Sequence, residues 1–479
     1  MLKDLKALGK ESLIYGLSTV CARLLNFILL PFYTHYLMPA EYGVVASVFS
    51  YIAVLNIVYH YGMDQAYMRH YEQRARAFPA AFACLAATTL LFTAVLCAFA
   101  PFWANASGLG AEYTRLVYFS AVILLLDTAA IIPFAGLRMS HRPLRFAGVR
   151  TASIIINVAL NVVFLKYLGW GIESVFLANI IASAAAVALL APEFREACAA
   201  IDLGVMKNLL AFALPLLPAG LGAMVVQVLD RPIMLHLSDA ASVGVYQANY
   251  RLGIFMMLAV SMFDQAWRPF FIERARRSDA GPVFARVLTY FTAGGLWLWL
   301  ALAFYTGDLA KLRFAGTYLI HPDYWSGLGI VPLVLAAYLF NGVYVNFLAP
   351  VIIAKKTGVI LGVTLAGAAV SVAGNFLLIP EFGMYGAAWA LFVSYLVMTV
   401  LIYLRGRRFY AVPYEFGRLA GFCAAAAVCA LPVYFAPFTA LPSLAFKAFC
   451  LAAFPALLWF SGLLLPEEKN AAGRLFGFR

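Results

Sequence analysis

Charge is scarce in this chain: Asp, Glu, Lys and Arg together make up 12% of its 479 residues, against about a quarter in an ordinary soluble domain. That shortage excludes a freely soluble globular protein of this length, and a hydrophobic content of 64% points the same way. Cysteine is thin as well. The seven (Cys21, Cys84, Cys97, Cys198, Cys423, Cys429 and Cys450) are scattered, mostly inside apolar runs, and none forms a CxxC pair. This argues against a disulfide framework or a zinc site, and they read as small packing residues. Long polar segments are missing too: the longest outward-facing turn, about Gly307 to Trp325, is too small to fold as a domain. There is no HExxH, no GxSxG, no Walker A and no paired-carboxylate motif on a large loop. The expectation is a protein that is not an enzyme, that uses no cofactor or metal, and whose work draws on a gradient, the membrane potential or the downhill concentration of its cargo.

What the chain has in abundance is long apolar runs. Fourteen are legible, at about 11–37, 41–67, 79–103, 113–138, 144–168, 171–191, 207–234, 243–270, 283–306, 326–350, 357–379, 385–404, 414–436 and 443–465; each is about 20 residues or more, enough to cross a ~30 Å hydrocarbon core. The expected fold class is therefore an all-α integral membrane protein of about 14 transmembrane helices. Of the 34 Lys and Arg residues, 26 collect after every second run, within 3–10, 69–76, 138–150, 195–207, 268–286, 355–356, 405–418 and 469–479. The positive-inside rule then places those turns and both termini in the cytoplasm. The net charge of +12 reads as topology and as attraction to anionic membrane lipids, with no nucleic acid as partner. The segment Lys3–Glu11 lacks the pattern of a cleavable signal peptide, and Pro192–Lys207 reads as an interfacial helix joining two halves.

The halves repeat. Lys356, Asn375 and Gly383 each lie 214 positions after Arg142, Asn161 and Gly169, in matching slots of basic turn, apolar span and outer turn. A fainter echo aligns MPAEYGVVASVF with LSDAASVGVYQA, setting Gly43 against Gly244. Six spans separate the copies, so they share an orientation and are related by an axis along the membrane normal, a recurring transporter layout. The expected organisation is a six-helix lobe at 1–206, a second at 207–410, and two additional helices with a cytoplasmic tail at 411–479.

Ionisable groups within membrane spans are costly and usually face a bundle interior or a hydrated cavity. Arg23 lies about midway along span 1, on one helical stripe with Ser12, Gly16, Thr19 and Asn26, below a kink expected at Pro31. It is a ligand candidate or a structural ion-pair partner. Asn56, His60 and Asp64 recur every four residues in span 2; His60 and Asp64 could relay a proton, and the plainer reading pairs Asp64 with Arg69. In spans 7 and 8 the polar set is Gln227, Asp230, Arg231, Gln247 and Arg251. Asp230 and Arg231 can satisfy each other, whereas Arg251 is deeper and the better ligand candidate. Asp127 and Asp264 complete the coupling or ion-pair candidates. Asn157 and Asn161 are expected to hydrogen-bond between helices, each bond worth about 0.6–2 kcal/mol.

Several segments together resemble Wzx-type polysaccharide flippases: KESLIYGLSTVCARLLNFILLPFYTHYLMPAEYG at the start, YGMDQAYMRHY at the end of span 2, AFALPLLPAGLGAMVVQVLDRPIML in span 7, QAWRPFF at the end of span 8, and the paired Asn–x7–Gly segments. These flippases belong to the multidrug/oligosaccharidyl-lipid/polysaccharide (MOP) superfamily, with the MurJ lipid II flippases and the MATE multidrug exporters. The resemblance covers the whole length. It implies translocation of undecaprenyl-pyrophosphate-linked oligosaccharide from the cytoplasmic to the periplasmic leaflet of the bacterial inner membrane. It also implies twelve core helices in two lobes around a cationic cavity that works by alternating access, with a polysaccharide polymerase and a chain-length regulator as candidate partners. By resemblance, Arg23 is the cavity arginine of span 1 and Arg251 a second-lobe cavity cation, with no sodium site carried over. A pyrophosphate suits buried guanidinium forks, and Asn26, Gln227 and Gln247 would line a path for sugars. Two alternatives stand beside this reading. A MATE-like exporter of cationic amphiphiles would want acidic cavity residues, and a membrane glycosyltransferase, polymerase or O-antigen ligase would need a catalytic loop of some size.

Overall fold

The computed structural model describes residues 24–25, 27–198, 200–277, 279–314, 316–435 and 440–470, and they are overwhelmingly helical. The α-helices in chain order are α1 (Pro39–His60), α2 (Met63–Arg69), α3 (Arg74–Ala98), α4 (Ala100–Ala106), α5 (Thr114–Met139), α6 (Pro143–Val162), α7 (Ile172–Leu189), α8 (Leu203–Ala213), α9 (Leu217–Val228), α10 (Asp230–Leu237), α11 (Ala240–Tyr250), α12 (Ile254–Arg274), α13 (Ala280–Ala310), α14 (Val331–Ile353), α15 (Thr357–Phe382), α16 (Met384–Gly406), α17 (Phe416–Phe435) and α18 (Ala440–Phe460).

Among the described residues, eleven helical stretches are long and apolar enough to cross a membrane. They correspond to spans 2–7 and 9–13 of the sequence reading. The fourteenth span is the shorter apolar helix Leu444–Phe460, and most of the first lies outside the described residues. Span 8 is not the continuous helix expected over 243–270. It breaks into α11 and α12 around a 3₁₀ turn at Arg251–Gly253, where glycine weakens the helix. Span 7 is likewise divided. Pro215 falls in a 3₁₀ turn at Leu214–Leu216, Pro218 opens α9, and a break at Leu229 precedes α10. Apolar side chains remain exposed on the helices, such as Ile28, Leu90, Phe376, Val428 and Phe460, an expanse that water would not tolerate and lipid does.

The chain divides into two compact units. The first comprises residues up to Arg251 together with Phe314–Gly327 and Thr364–Ser394; the second comprises Leu252–Arg313, Leu328–Val363 and Tyr395–Arg479. In the first unit, Tyr61, Met63, Tyr67, Phe78 and Ala135 form a core with Leu209 and Ala213. In the second, α13 packs with α14, α17 and α18 through Leu296, Leu300, Phe304, Leu339, Phe422 and Phe454. Arg418 fastens that bundle, donating to Glu415 and Glu468 at 2.6 Å each and to the Leu463 carbonyl at 2.9 Å, while the Tyr290 hydroxyl reaches Glu468 at 3.0 Å.

The 214-residue offset recurs in the backbone. His141 and Lys355 both take left-handed conformations, φ 54° and 57°, as do Gly169 and Gly383, φ 64° and 53°. The helix ends close identically: Arg142 N donates to Leu137 O at 3.1 Å and Lys356 N to Val351 O at 3.0 Å, the six-to-one bond of a Schellman motif. Asn161 and Asn375 are both buried, and each amide bonds back to the carbonyl four residues earlier, at Asn157 and Ser371.

Candidate functional site

The site is built where α1 and α11 meet, the most extensive helix pairing in the first unit. Helix α1 opens with Pro39 at its first position, which suits a ring-fixed φ and a missing N–H. Glu41 accepts the Met38 backbone N–H at 2.8 Å. Helix α11 opens on Asp239, which accepts the Ser242 N–H and hydroxyl at 2.8 Å each. An acid in or beside each first turn complements the helix dipole. At the crossing the backbones touch. A Cβ added to Gly43 would lie 1.7 Å from the Ala240 carbonyl oxygen, and one added to Gly244 would lie 1.9 Å from that of Pro39. Gly43 is followed four residues on by Ser47, and Gly244 by Ala248, both fully buried, so each helix presents the small-residue stripe that lets spans approach closely in lipid.

The Asp239 cap carries a prediction. Burial raises its carboxyl pKa, but the hydrogen bonds from Ser242 outweigh that and hold it below the ordinary value. Its contribution is therefore present above the unfolded value of about 3.9 and lost as pH falls through the lower folded value. Asp239→Ala should cost about 1 kcal/mol, a difference in melting that is full at pH 7 and shrinks below about pH 4. An undiminished difference at pH 3 would show that the carboxylate is not the capping group.

Beside the seam lies a buried ion pair. Asp230 and Arg231 are only 3% and 4% exposed. Arg231 donates through Nη1 to Asp230 Oδ1 at 2.8 Å and to the Gln227 carbonyl at 2.6 Å, and through Nε to Gln247 Oε1 at 2.8 Å. The other Asp230 oxygen accepts the Tyr246 hydroxyl at 2.6 Å, and the guanidinium stacks 4.1 Å from the Tyr250 ring centre. Arg231 is thus held by an ion pair, a backbone carbonyl and a side-chain amide.

Arg251 differs. It stands four residues after Gln247, at the break that ends α11, with its guanidinium carbon 5.4 Å and 5.7 Å from the ring centres of Tyr33 and Tyr42. The two tyrosine rings are 5.6 Å apart, and Tyr33 is fixed by donating to Asn161 Oδ1 at 3.1 Å. The Arg251 Nη1 atom is buried and has no hydrogen-bond partner among the described residues. A buried donor left unmade is costly, and two π faces favour a cation without neutralising it.

The sequence candidates separate accordingly. Gln227 (through its backbone), Asp230, Arg231 and Gln247 are brought together, with Arg251 one turn on from Gln247. Arg23 and Asn26 lie outside the described residues. His60 and Asp64 are not on one continuous helical face, because α1 ends at His60 and Tyr61 and Gly62, at φ 33° and 79°, turn the chain before α2. Arg69 does not take Asp64 as partner: it stacks 4.6 Å from the Phe212 ring centre, and Asp64 Oδ1 is buried without a hydrogen bond. Asp127 on α5 accepts the Ser183 hydroxyl of α7 at 2.7 Å. Asp264 is tied to Arg268 at 2.7 Å across one helical turn. Asn161 bonds within its own helix to Asn157, and its link across helices runs to Tyr33. The framing tyrosines Tyr33, Tyr42 and Tyr246 were not legible as site residues, since tyrosines are plentiful along the apolar runs. No three His, Cys, Asp or Glu side chains among the described residues group closely enough to hold a metal ion.

Residues 34–271 match the model of a family described as polysaccharide biosynthesis protein. No curated protein matches the chain in sequence. Among solved structures, the chain is similar to lipid II flippase MurJ in an inward closed conformation (TM-score 0.76, 12% identity, covering 94% of this chain and 100% of that one). It is also similar to a multidrug resistance MATE family transporter of the MOP superfamily in an inward-facing conformation (TM-score 0.60, 13% identity, 81% and 94% covered). A third is a MOP superfamily transporter from Pyrococcus furiosus (TM-score 0.58, 12% identity, 84% and 95% covered), whose binding pocket is described as reversed in polarity. The fold expected from the sequence resemblance is the fold found.

Proposed function

We propose that this chain, which has the fold of MOP-superfamily transporters and matches a polysaccharide biosynthesis family over residues 34–271, is a flippase. Its substrate is an oligosaccharide repeat unit linked to undecaprenyl pyrophosphate, carried from the cytoplasmic to the periplasmic leaflet of a bacterial inner membrane by alternating access. Arg251 carries this reading: a buried guanidinium nitrogen without a hydrogen-bond partner among the described residues, in a frame of tyrosines, favours an anionic ligand over the cationic amphiphiles of a drug exporter. A pyrophosphate supplies the paired oxygens that a guanidinium fork matches. Gln247, one turn before Arg251, would border the path for sugars, and the sequence resemblance assigns Arg23 and Asn26 of span 1 to the same role. The lobes are 1–206 and 207–410, with 411–479 as two appended helices, a division supported by the recurring 214-residue correspondence. Both termini lie in the cytoplasm, on the side of the basic turns. For coupling, Asp230 and Asp264 are already committed to arginines, which leaves Asp127 and Asp64 as the acids to carry a proton or ion.

The test is Arg251→Gln in a strain lacking the native gene, reading surface glycan and intracellular lipid-linked repeat units. Loss of a charge-assisted contact of about 1.5–3 kcal/mol should reduce export on the order of 10- to 100-fold, with repeat units accumulating and the protein still present in the membrane. Arg251→Lys should restore part of the export, because the ammonium keeps charge but loses the fork. Normal export by a normally expressed Gln variant would overturn the assignment.

A further inference from the structure

The turn between α13 and α14 lies on the side away from the basic turns. Its residues Phe314–Gly327 belong to the first compact unit, although the chain before and after them belongs to the second. The turn is closely packed there. Ile320 and Tyr324 are fully buried. The Tyr324 hydroxyl donates to the Leu37 carbonyl at 2.8 Å, the Tyr324 carbonyl accepts the Asn249 amide at 2.8 Å, and a Cβ added to Gly327 would collide with that same amide. This seating brings His321 of the turn onto His35 at the outer end of span 1, with ring centres 5.3 Å apart and ring planes crossing at 82°.

Both imidazoles are held from the Nδ1 side. His35 Nδ1 lies 2.8 Å from the Pro31 carbonyl oxygen; a carbonyl only accepts, so that nitrogen carries the proton. His321 Nδ1 lies 3.3 Å from the Asp323 carboxylate, with the Asp323 backbone nitrogen farther off at 3.5 Å. A carbonyl or carboxylate that accepts from one ring nitrogen is the support that orients a metal-ligating histidine and leaves its Nε2 lone pair for the ion. The spacing fits as well. Two imidazoles on one tetrahedral zinc, at ~2.0–2.1 Å each, have ring centres about 5 Å apart. We propose that His35 and His321 bind a divalent transition-metal cation, zinc, from the aqueous phase on that side. Imidazole nitrogen suits zinc and not magnesium or calcium. Among the described residues no third His, Cys, Asp or Glu closes around the pair, so water completes the shell and the ion stays exchangeable. Its two ligands come from span 1 and from a turn far along the chain, and the bound ion fastens one to the other whatever the cargo is.

Isothermal titration of zinc into the full-length protein, purified without a polyhistidine tag, stripped with a chelator and held in lipid nanodiscs, would test it. The wild type should bind one zinc ion per chain and give no heat with magnesium or calcium. His35→Ala and His321→Ala should each abolish that binding. Asp323→Asn should weaken it about 10- to 100-fold, as loss of the outer partner of a metal-bound histidine does. His35→Cys should keep it, because a thiolate is also a zinc ligand, which separates loss of a ligand from loss of the fold. His236 supplies the control: its ring nitrogens already face the Pro232 and Ala106 carbonyls at 2.9 and 3.1 Å, so His236→Ala should bind zinc as the wild type does. Amide exchange across 317–325 should slow when zinc is added to the wild type and not when it is added to His35→Ala. No zinc binding by the wild type, or equal binding by both alanine variants, would overturn the site and leave the two rings as an aromatic contact only. Binding without slower exchange would overturn the fastening.

Discussion

Replacing Gly43 with alanine is expected to abolish most transport while leaving a protein that still inserts in the membrane. The added methyl would sit 1.7 Å from the Ala240 carbonyl oxygen, and a backbone atom cannot rotate aside as a side chain can. Helices α1 and α11 would have to separate at their first turns, losing the close packing that small residues provide in lipid. Overpacking of this kind costs about 1–3 kcal/mol, which shifts the balance between the closed seam and any arrangement in which it opens by roughly 5- to 150-fold. Gly244→Ala, facing Pro39 at 1.9 Å, should behave in the same way because the contact is near-symmetric. The checks are surface glycan export and reactivity of single cysteines placed along the seam toward an impermeant reagent, which should rise in both variants. Wild-type export and unchanged labelling in Gly43→Ala would mean that the seam is not part of the working cycle.

That seam also shows how far the sequence could be read. Scarce charge, fourteen apolar runs and basic turns after every second run are one-dimensional signals, and the membrane fold followed from them. The pairing of Gly43 with Gly244 was visible as a repeat echo, yet nothing in a repeat says that its two copies touch; contact depends on the symmetry axis passing between them. Local breaks were partly legible. Pro215 and Pro218 mark the division of span 7, but Gly253 was one glycine among 35 and gave no warning that span 8 stops at Arg251. Gly62 likewise gave no warning that the helix carrying His60 is interrupted before Asp64. Partners distant in sequence were the least legible. Tyr33 and Asn161, 128 residues apart, carry no mark of each other, and whether Arg251 or Arg231 retains a free guanidinium edge depends on where Gln247 and Asp230 point.

The Asp230–Arg231 pair gives the other large effect. Asp230→Asn removes the carboxylate of a buried ion pair, and breaking such a pair from one side costs about 3–5 kcal/mol. That is a large share of the ~5–15 kcal/mol by which a folded protein is typically stable, so the variant should be depleted from the membrane and melt early in detergent. Arg231→Gln should be as damaging for the converse reason, leaving the Asp230 carboxylate, among the described residues, with the Tyr246 hydroxyl and a backbone N–H. The double variant Asp230→Asn/Arg231→Gln removes both charges and should recover abundance, because neutral amides can bond with Gln247 and Tyr246 without the desolvation penalty of an ion. Its export then separates two roles. Recovery of abundance and export together would make the pair a fastening between α10 and α11 and nothing more. Recovery of abundance without export would place the pair in the transport cycle, through its hold on Gln247 one turn before Arg251. Normal accumulation and melting of the single Asp230→Asn variant would contradict the buried-pair assignment itself.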